Sequence, residues 1–116
     1  MKRDDDCIRA LLIEAAETED GSLIAILGLT PNAEDEKRYS HSKWLADYGF
    51  FDELEGGIFR ITEKGSDFLT VIRDETVWTQ TKYAAAAVGE IGLGAVMDIA
   101  VSYYEQAMSA PSRTPL

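Results

Sequence analysis

The sequence predicts an α+β fold in which helices pack on a small antiparallel sheet, and three stretches carry this prediction. Residues 4–19 place apolar side chains at helical spacing, and residues 22–30 form a short apolar run that includes β-branched positions. Residues 50–61 contain two strand-like runs on either side of Gly56-Gly57. The order helix, strand, helix, hairpin and helix is that of a winged helix (winged helix-turn-helix). We therefore predict a winged helix with a three-stranded antiparallel sheet and extra C-terminal helices.

The predicted organisation has three parts. They are a winged-helix domain over residues 1–78, C-terminal helices for packing or dimerisation over residues 79–108, and a disordered tail over residues 109–116.

The first predicted helix has one apolar face and an acidic start. The face, at i, i+3, i+4 and i+7 spacing, consists of Ile8, Leu11, Leu12 and Ala15. Asp4 to Asp6 supply a cap and suit the positive end of the helix dipole. The run SLIAILGLT, residues 22–30, leaves no room for a helix before Pro31, so we predict that all of it is a strand.

The second predicted helix begins near residue 30, with Thr30 or Asn32 as its N-cap. It runs to Tyr48, and Gly49 suits the positive φ of a C-cap. One face of this helix carries Arg38, His41, Leu45 and Tyr48. The only histidine, His41, is predicted to be half buried against the hairpin, and its alternative role is a contact to a base or a phosphate.

The hairpin pairs residues 50–54 with residues 58–61 across Gly56-Gly57, a strong turn signal. Thr62 is predicted to cap the next helix, and Gly65 to let that helix pack closely on the sheet. The inward residues of this helix are Phe68, Leu69 and Ile72.

The C-terminal part contains two helical stretches, TKYAAAAVG and AVMDIAVSYYEQAM, with glycines between them. Residues 83–101 have about the minimum length of a membrane span, but Glu90 and Asp98 lie inside them, so we predict two helices and no membrane contact. A monomer would leave an apolar patch on these helices, which predicts a homodimer. The candidate dimer interface consists of Val96, Ile99, Ala100, Tyr103 and Ala107. The alternative is that the two helices cover each other in a monomer.

Charge is the most informative feature of the composition. The 116 residues include 11 Lys and Arg against 21 Asp and Glu, a net charge of −10, and no segment is basic. Because phosphate backbones are held mainly by Lys and Arg, this charge disfavours DNA binding without excluding it. Cys7 is the only cysteine, and the opening MKRDDDCIRA lacks the apolar core of a signal peptide. The sequence thus predicts a cytoplasmic protein without an intrachain disulfide.

No pattern typical of an enzyme is present. One Cys and one His cannot form a zinc site, and no Ser-His-Asp or Cys-His arrangement is indicated. GEIGLG at residues 89–94 lacks the Lys of a phosphate loop and follows a helix instead of a strand. We predict that the protein is not an enzyme and uses no cofactor, metal or small-molecule substrate.

Three stretches resemble a known family. They are MKRD at residues 1–4, SHSKWLADYGFF at residues 40–51 and ITEKGSDFLTVIRDETVW at residues 61–78. Over residues 1–82 the sequence resembles the prophage- and plasmid-associated bacterial proteins of domain of unknown function 2513. The resemblance implies a winged helix and a bacterial or phage setting, and no particular activity. This sequence departs from the family pattern at Ser42, where a β-branched apolar residue is usual, and in its Gly- and Ala-rich last helices.

Two functions are compatible with these observations. In the first, the protein is a phage- or prophage-type transcription regulator whose second helix enters the major groove of duplex DNA, with the hairpin assisting. The candidate DNA contacts are Lys37, Tyr39, Ser40, Lys43 and Arg60.

In the second, the winged helix is an acidic protein-interaction module that does not bind DNA. Its hairpin carries the candidate protein-binding residues Asp52, Glu53 and Glu55, whose charge opposes approach to phosphates. Its partner would be a nucleic-acid-binding protein whose channel the acidic face occupies, as DNA-mimicking inhibitors do.

Overall fold

The computed structural model describes residues 2–109. Along these residues run α1 (Asp5–Ala16), β1 (Ser22–Ile24), α2 (Ala33–Asp47), β2 (Phe51–Glu55), β3 (Ile58–Ile61), α3 (Glu63–Ile72), α4 (Glu75–Val88) and α5 (Leu93–Ser109). The chain divides into two compact units inside α3, and the first unit ends at Leu69. This boundary lies earlier in the chain than residue 78, the predicted end of the winged-helix domain. The α+β winged-helix arrangement with further C-terminal helices is confirmed.

The strands of the first unit form one antiparallel sheet in the order β1-β3-β2. In the β2–β3 hairpin, hereafter the wing, Glu53 lies opposite Phe59 and Asp52 opposite Arg60. A register shift between Glu53 and Glu55 marks a bulge just before the turn. Side chains alternate across the sheet, so Phe59 is buried and its neighbour Arg60 is exposed.

β1 is much shorter than the strand predicted over residues 22–30, and that prediction was wrong from residue 25 onward. The strand stops where its partner stops: the N–H of Ala25 donates to the carbonyl of Gly57 at 2.7 Å, and Gly57 already belongs to the wing turn. Residues 25–32, all described, contain neither strand nor helix. A helix-turn-helix consists of two helices joined by a short turn. Because residues 25–32 contain no helix, no helix lies directly before α2 to form such a pair with it.

The core of the first unit is built from side chains of α1, all three strands, α2 and α3. Its buried apolar members are Ile8, Leu11, Leu12, Ala15, Leu23, Ala25, Leu45, Phe50, Phe51, Phe59, Phe68 and Leu69. The apolar face predicted for the first helix is therefore confirmed in full.

Caps fix where the first two helices begin. Asp4 is the N-cap of α1, and its Oδ1 accepts the N–H groups of Asp6 and Cys7 at 3.0 and 3.2 Å. Asn32 caps α2 by accepting the N–H of Asp35 at 2.8 Å, which decides between the two predicted caps. α2 ends ahead of Gly49, whose φ of +81° confirms the predicted left-handed position.

The junction between β3 and α3 is tightly closed. Thr62 Oγ1 accepts the N–H of Gly65 at 3.0 Å, as predicted for a cap, and donates to the carbonyl of Gly49 at 2.6 Å. A Cβ on Gly65 would lie 2.2 Å from the carbonyl oxygen of Phe50, so only glycine allows this approach. Close packing at Gly65 is thus confirmed.

The second unit contains the end of α3 and the helices α4 and α5. Asp74 caps α4 by accepting the N–H of Val77 at 2.9 Å, so α4 begins at Glu75, earlier than the predicted TKYAAAAVG stretch. The helical conformation ends after α4 at Gly89, whose φ is +108°, and α5 begins at Leu93, so the prediction of two helices is confirmed. Among residues 2–109 no helix is both long and apolar enough to cross a bilayer.

α5 extends to Ser109, the first residue of the predicted tail. The rest of that tail, residues 110–116, lies outside the described residues.

Candidate functional site

α2 presents one face to the core and another to solvent. His41, Ser42 and Leu45 are buried on the inner face. On the outer face an open groove is lined by Tyr39, Ser40, Lys43, Trp44 and Asp47. Three of the five candidate DNA contacts, Tyr39, Ser40 and Lys43, are therefore brought together.

Lys37 lies apart from this groove. Its Nζ donates to Asp4 Oδ2 at 2.7 Å, which links α2 to the N-cap of α1. This hydrogen bond lowers the pKa of Asp4 and raises the pKa of Lys37, because each charged form stabilises the other. One candidate phosphate contact is thus already bonded to a carboxylate of its own chain.

Lys43, at the groove, is also paired. Its Nζ donates to Glu53 Oε1 on the wing at 2.7 Å, and this bond raises the pKa of Lys43 and lowers the pKa of Glu53. A candidate DNA contact and a candidate protein contact therefore neutralise each other. The pair joins α2 to β2.

The remaining wing residues carry charges of both signs. Arg60, the last candidate DNA contact, is exposed on β3 directly across from exposed Asp52 on β2. Opposite charges at such cross-strand positions attract each other. Glu55 is exposed near the turn and forms no ion pair with another described residue.

Arg38 closes the edge of the sheet at β1. Its Nε donates to the carbonyl of Ile24 at 2.9 Å, and its guanidinium binds both carboxylate oxygens of Glu14 on α1. Thr18 Oγ1 caps the neighbouring carbonyl of Ser22 at 2.9 Å. These side chains occupy acceptors that an added strand would need, so β1 offers no free edge at these two carbonyls.

The prediction for His41 was wrong in place and degree. The ring is fully buried, and it lies against the start of α1 rather than against the wing. Its Nε2 accepts the N–H of Asp4 at 2.8 Å, while Nδ1 lies 2.7 Å from the carbonyl of Lys37. Because a carbonyl only accepts, Nδ1 carries the proton and the ring is neutral. No part of the ring is left for a base or a phosphate.

The neutral state of His41 agrees with its surroundings. Burial lowers the pKa of His41 below its usual value, against the raising effect of the Lys37 carbonyl and the Asp4 and Asp5 carboxylates. The edge of the ring packs against Trp44 with centroids 4.9 Å apart. His41 therefore serves to hold α2 on α1.

Ser42 is the one buried side chain of the described residues whose polar atom has no hydrogen-bond partner. It lies on the inner face of α2 beside His41. Its hydroxyl is enclosed and does not face the groove.

The candidate dimer residues of α5 divide into two groups. Val96 and Ala100 are buried within the single chain, while Ile99 and Tyr103 are half buried and Ala107 is exposed. Two of the five side chains are thus already covered. The homodimer stays a prediction, and light scattering tests it because a mass near 12.8 kDa contradicts it.

Metal binding and the reactivity of the thiol are the two remaining kinds of site chemistry. The described residues contain no cluster of three or more His, Cys, Asp or Glu side chains able to hold a metal ion. Cys7 is half buried, and burial raises the pKa of its thiol, which keeps it protonated at neutral pH.

Comparison with known proteins adds one finding. A family model described as Hypothetical protein (DUF2513) matches residues 2–90. The chain belongs to this family. The DUF2513 match takes in every described residue of the first unit and all of α4, and it leaves out α5. It extends beyond residue 82, where the resemblance noted in the sequence ended. No curated protein and no solved structure matches the chain.

Proposed function

We propose that the protein is an acidic interaction module of winged-helix fold that binds a partner protein rather than duplex DNA. The observation that carries this proposal is the pairing of both α2 lysines with carboxylates of the same chain, Lys37 with Asp4 and Lys43 with Glu53. Binding to DNA would have to replace each carboxylate by a phosphate, with little gain in charge neutralisation. It would also release few counterions, which is the main source of affinity for DNA.

The wing supports the same proposal. Asp52 and Glu55 are exposed on it, and Arg60 is opposed by Asp52. A wing lying along a phosphate backbone would therefore meet like charge. A basic surface, such as the nucleic-acid channel of another protein, would meet opposite charge.

A DNA-binding phage- or prophage-type regulator is the second candidate, and the groove on α2 favours it. Tyr39, Ser40 and Trp44 are accessible there and lie on the helix that follows β1 and precedes the wing. Surface ion pairs contribute little, so Lys43 can exchange Glu53 for a phosphate at modest cost.

Selection from a pool of random-sequence duplexes at about 150 mM salt separates the two candidates. We expect no enriched motif. A motif enriched by the natural protein, lost in Lys43→Glu and kept in the second-unit control Lys82→Glu, would establish DNA binding through α2 and overturn the proposal.

A crosslinking capture supplies the positive arm. We expect a protein partner that crosslinks to the natural chain and is depleted at least tenfold by the double change Asp52→Lys and Glu55→Lys. The matched control is Glu90→Lys, an exposed acid of the second unit. Equal recovery by both variants would place the partner away from the wing.

A further inference from the structure

The wing end of the sheet exposes apolar side chains that the fold does not bury. We define the wing-end patch as Ile24, Ile26, Leu27, Leu29 and Leu54, which are 61, 53, 39, 104 and 45% exposed, respectively. Single exposed apolar residues are ordinary, whereas several together mark interaction surfaces. The sequence did not reveal this patch, because four of its members fall in the strand predicted over residues 22–30 and Leu54 falls in the first strand of the predicted hairpin.

Three members of the patch, Ile24, Ile26 and Leu54, lie around the wing turn, and Leu27 and Leu29 follow Ile26 in the chain. Ile24 of β1 is opposite Ile58 of β3. The next residue, Ala25, donates its N–H to the carbonyl of Gly57 in the wing turn, so the chain passes beside the turn. A Cβ on Gly57 would lie 2.7 Å from Ile26 Cγ1, so Ile26 rests directly on the turn. Leu54 lies in the bulge on the other arm of the same hairpin.

An exposed acid adjoins this apolar surface. Glu55 follows Leu54 in the wing. It is exposed and forms no ion pair with another described residue. Arg38, which donates a hydrogen bond to the carbonyl of Ile24, forms an ion pair with Glu14, so its charge is already neutralised. An apolar centre with a charged rim is the anatomy of a protein interface.

We propose that the wing-end patch docks a protein segment in which apolar side chains are flanked by Lys and Arg. The apolar residues would cover Leu29 and its neighbours, and the basic residues would pair with Glu55. This inference rests on the proposed function and names the class of its partner. A second copy of the chain fits poorly, because a two-fold interface here would bring acidic rims together in a protein of net charge −10.

The test uses the full chain and three synthetic helical peptides. The first has Leu at i, i+3, i+4 and i+7 with Lys elsewhere, the second replaces Leu by Ala, and the third replaces Lys by Glu. Binding is measured by calorimetry and mapped by amide chemical shifts. We expect only the Leu/Lys peptide to bind tightly, with the largest shifts at residues 24–29 and 54–57.

Substitutions then locate the contact. Leu29→Asp and Leu54→Asp should each weaken binding at least tenfold, and both sites are exposed enough to leave the fold intact. The matched control is Val88→Asp, a 69% exposed residue of the second unit that should bind as the natural chain does.

Each other outcome overturns the inference. Equal binding of the Leu/Lys and Ala/Lys peptides would show attraction by charge alone. Shifts confined to the α2 groove would move the docking site there, leaving the proposed function standing. No peptide binding, or a concentration-dependent dimer lost in Leu29→Asp, would reject a basic partner at the patch. The proposed function would fail separately, through a DNA motif in the random-duplex selection.

Discussion

Two parts of the first unit differ in how many of their side chains are buried, hydrogen-bonded or paired within the chain. In the closed part, the α1–α2 contact and the β3–α3 junction, Asp4, His41 and Thr62 each make two or more hydrogen bonds within the chain. In the open part, the wing-end patch and its rim, Leu29 is fully exposed and Glu55 is unpaired among the described residues. The closed part maintains the fold, and the open part is available to a partner.

The largest contrast is expected between two glycines. Gly65→Ala places a Cβ 2.2 Å from the backbone oxygen of Phe50, so the junction must shift, and we expect a loss of about 3 kcal/mol in free energy of unfolding. Gly28→Ala in the open segment meets nothing within 4 Å and should cost nothing measurable. Urea denaturation measures both, and equal values would remove the distinction between the two parts.

The next effect concerns the cap of α1. Asp4→Ala removes the acceptor for Asp6 and Cys7 together with the partner of Lys37, and we expect a loss of about 1 to 2 kcal/mol. Glu55→Ala, an exposed acid of the open part, is the control and should change stability by less than about 0.5 kcal/mol. Denaturant midpoints that do not separate these variants would contradict the closed assignment of the cap.

Ser42 places an unsatisfied hydroxyl inside the closed part. Its buried hydroxyl has no partner, so Ser42→Ala removes an unsatisfied group at little loss of packing, and we expect a gain of about 1 kcal/mol in stability. Ser40→Ala, in the groove of the same helix, should have almost no effect. A loss of stability in Ser42→Ala would mean that the hydroxyl is bonded after all.

The smallest expected effect is a pH dependence due to His41. Its pKa is lowered in the folded chain, so the unfolded chain takes up the proton first as the pH falls below about 6.5. Stability should therefore be fully present above that pH and decline below it, because a protonated Nε2 cannot accept the N–H of Asp4.

His41→Gln supplies the comparison for this effect. The variant is expected to be less stable at every pH, with a flatter dependence between pH 7.5 and 5.5. The chain has no other histidine, so a natural protein equally stable at both pH values would refute the assigned role of His41.

Local patterns determined much of the first unit. The apolar spacing of Ile8, Leu12 and Ala15 is enough to orient α1, since helical geometry repeats whatever the partner. Gly49 and Thr62 were readable as a C-cap and an N-cap because capping depends on neighbouring residues in the chain. The hairpin followed from Gly56-Gly57 for the same reason.

The tertiary structure decided where strands stop and which charged side chains form ion pairs within the chain. The length of β1 depends on its partner β3, which is far along the chain, so the apolar run at residues 25–29 did not reveal that it leaves the sheet. His41 was placed against the wrong element because its partner, Asp4, is 37 residues away. Lys37 and Lys43 looked available for DNA in the sequence, since ion pairs with Asp4 and Glu53 form only when α1, α2 and the wing are brought together.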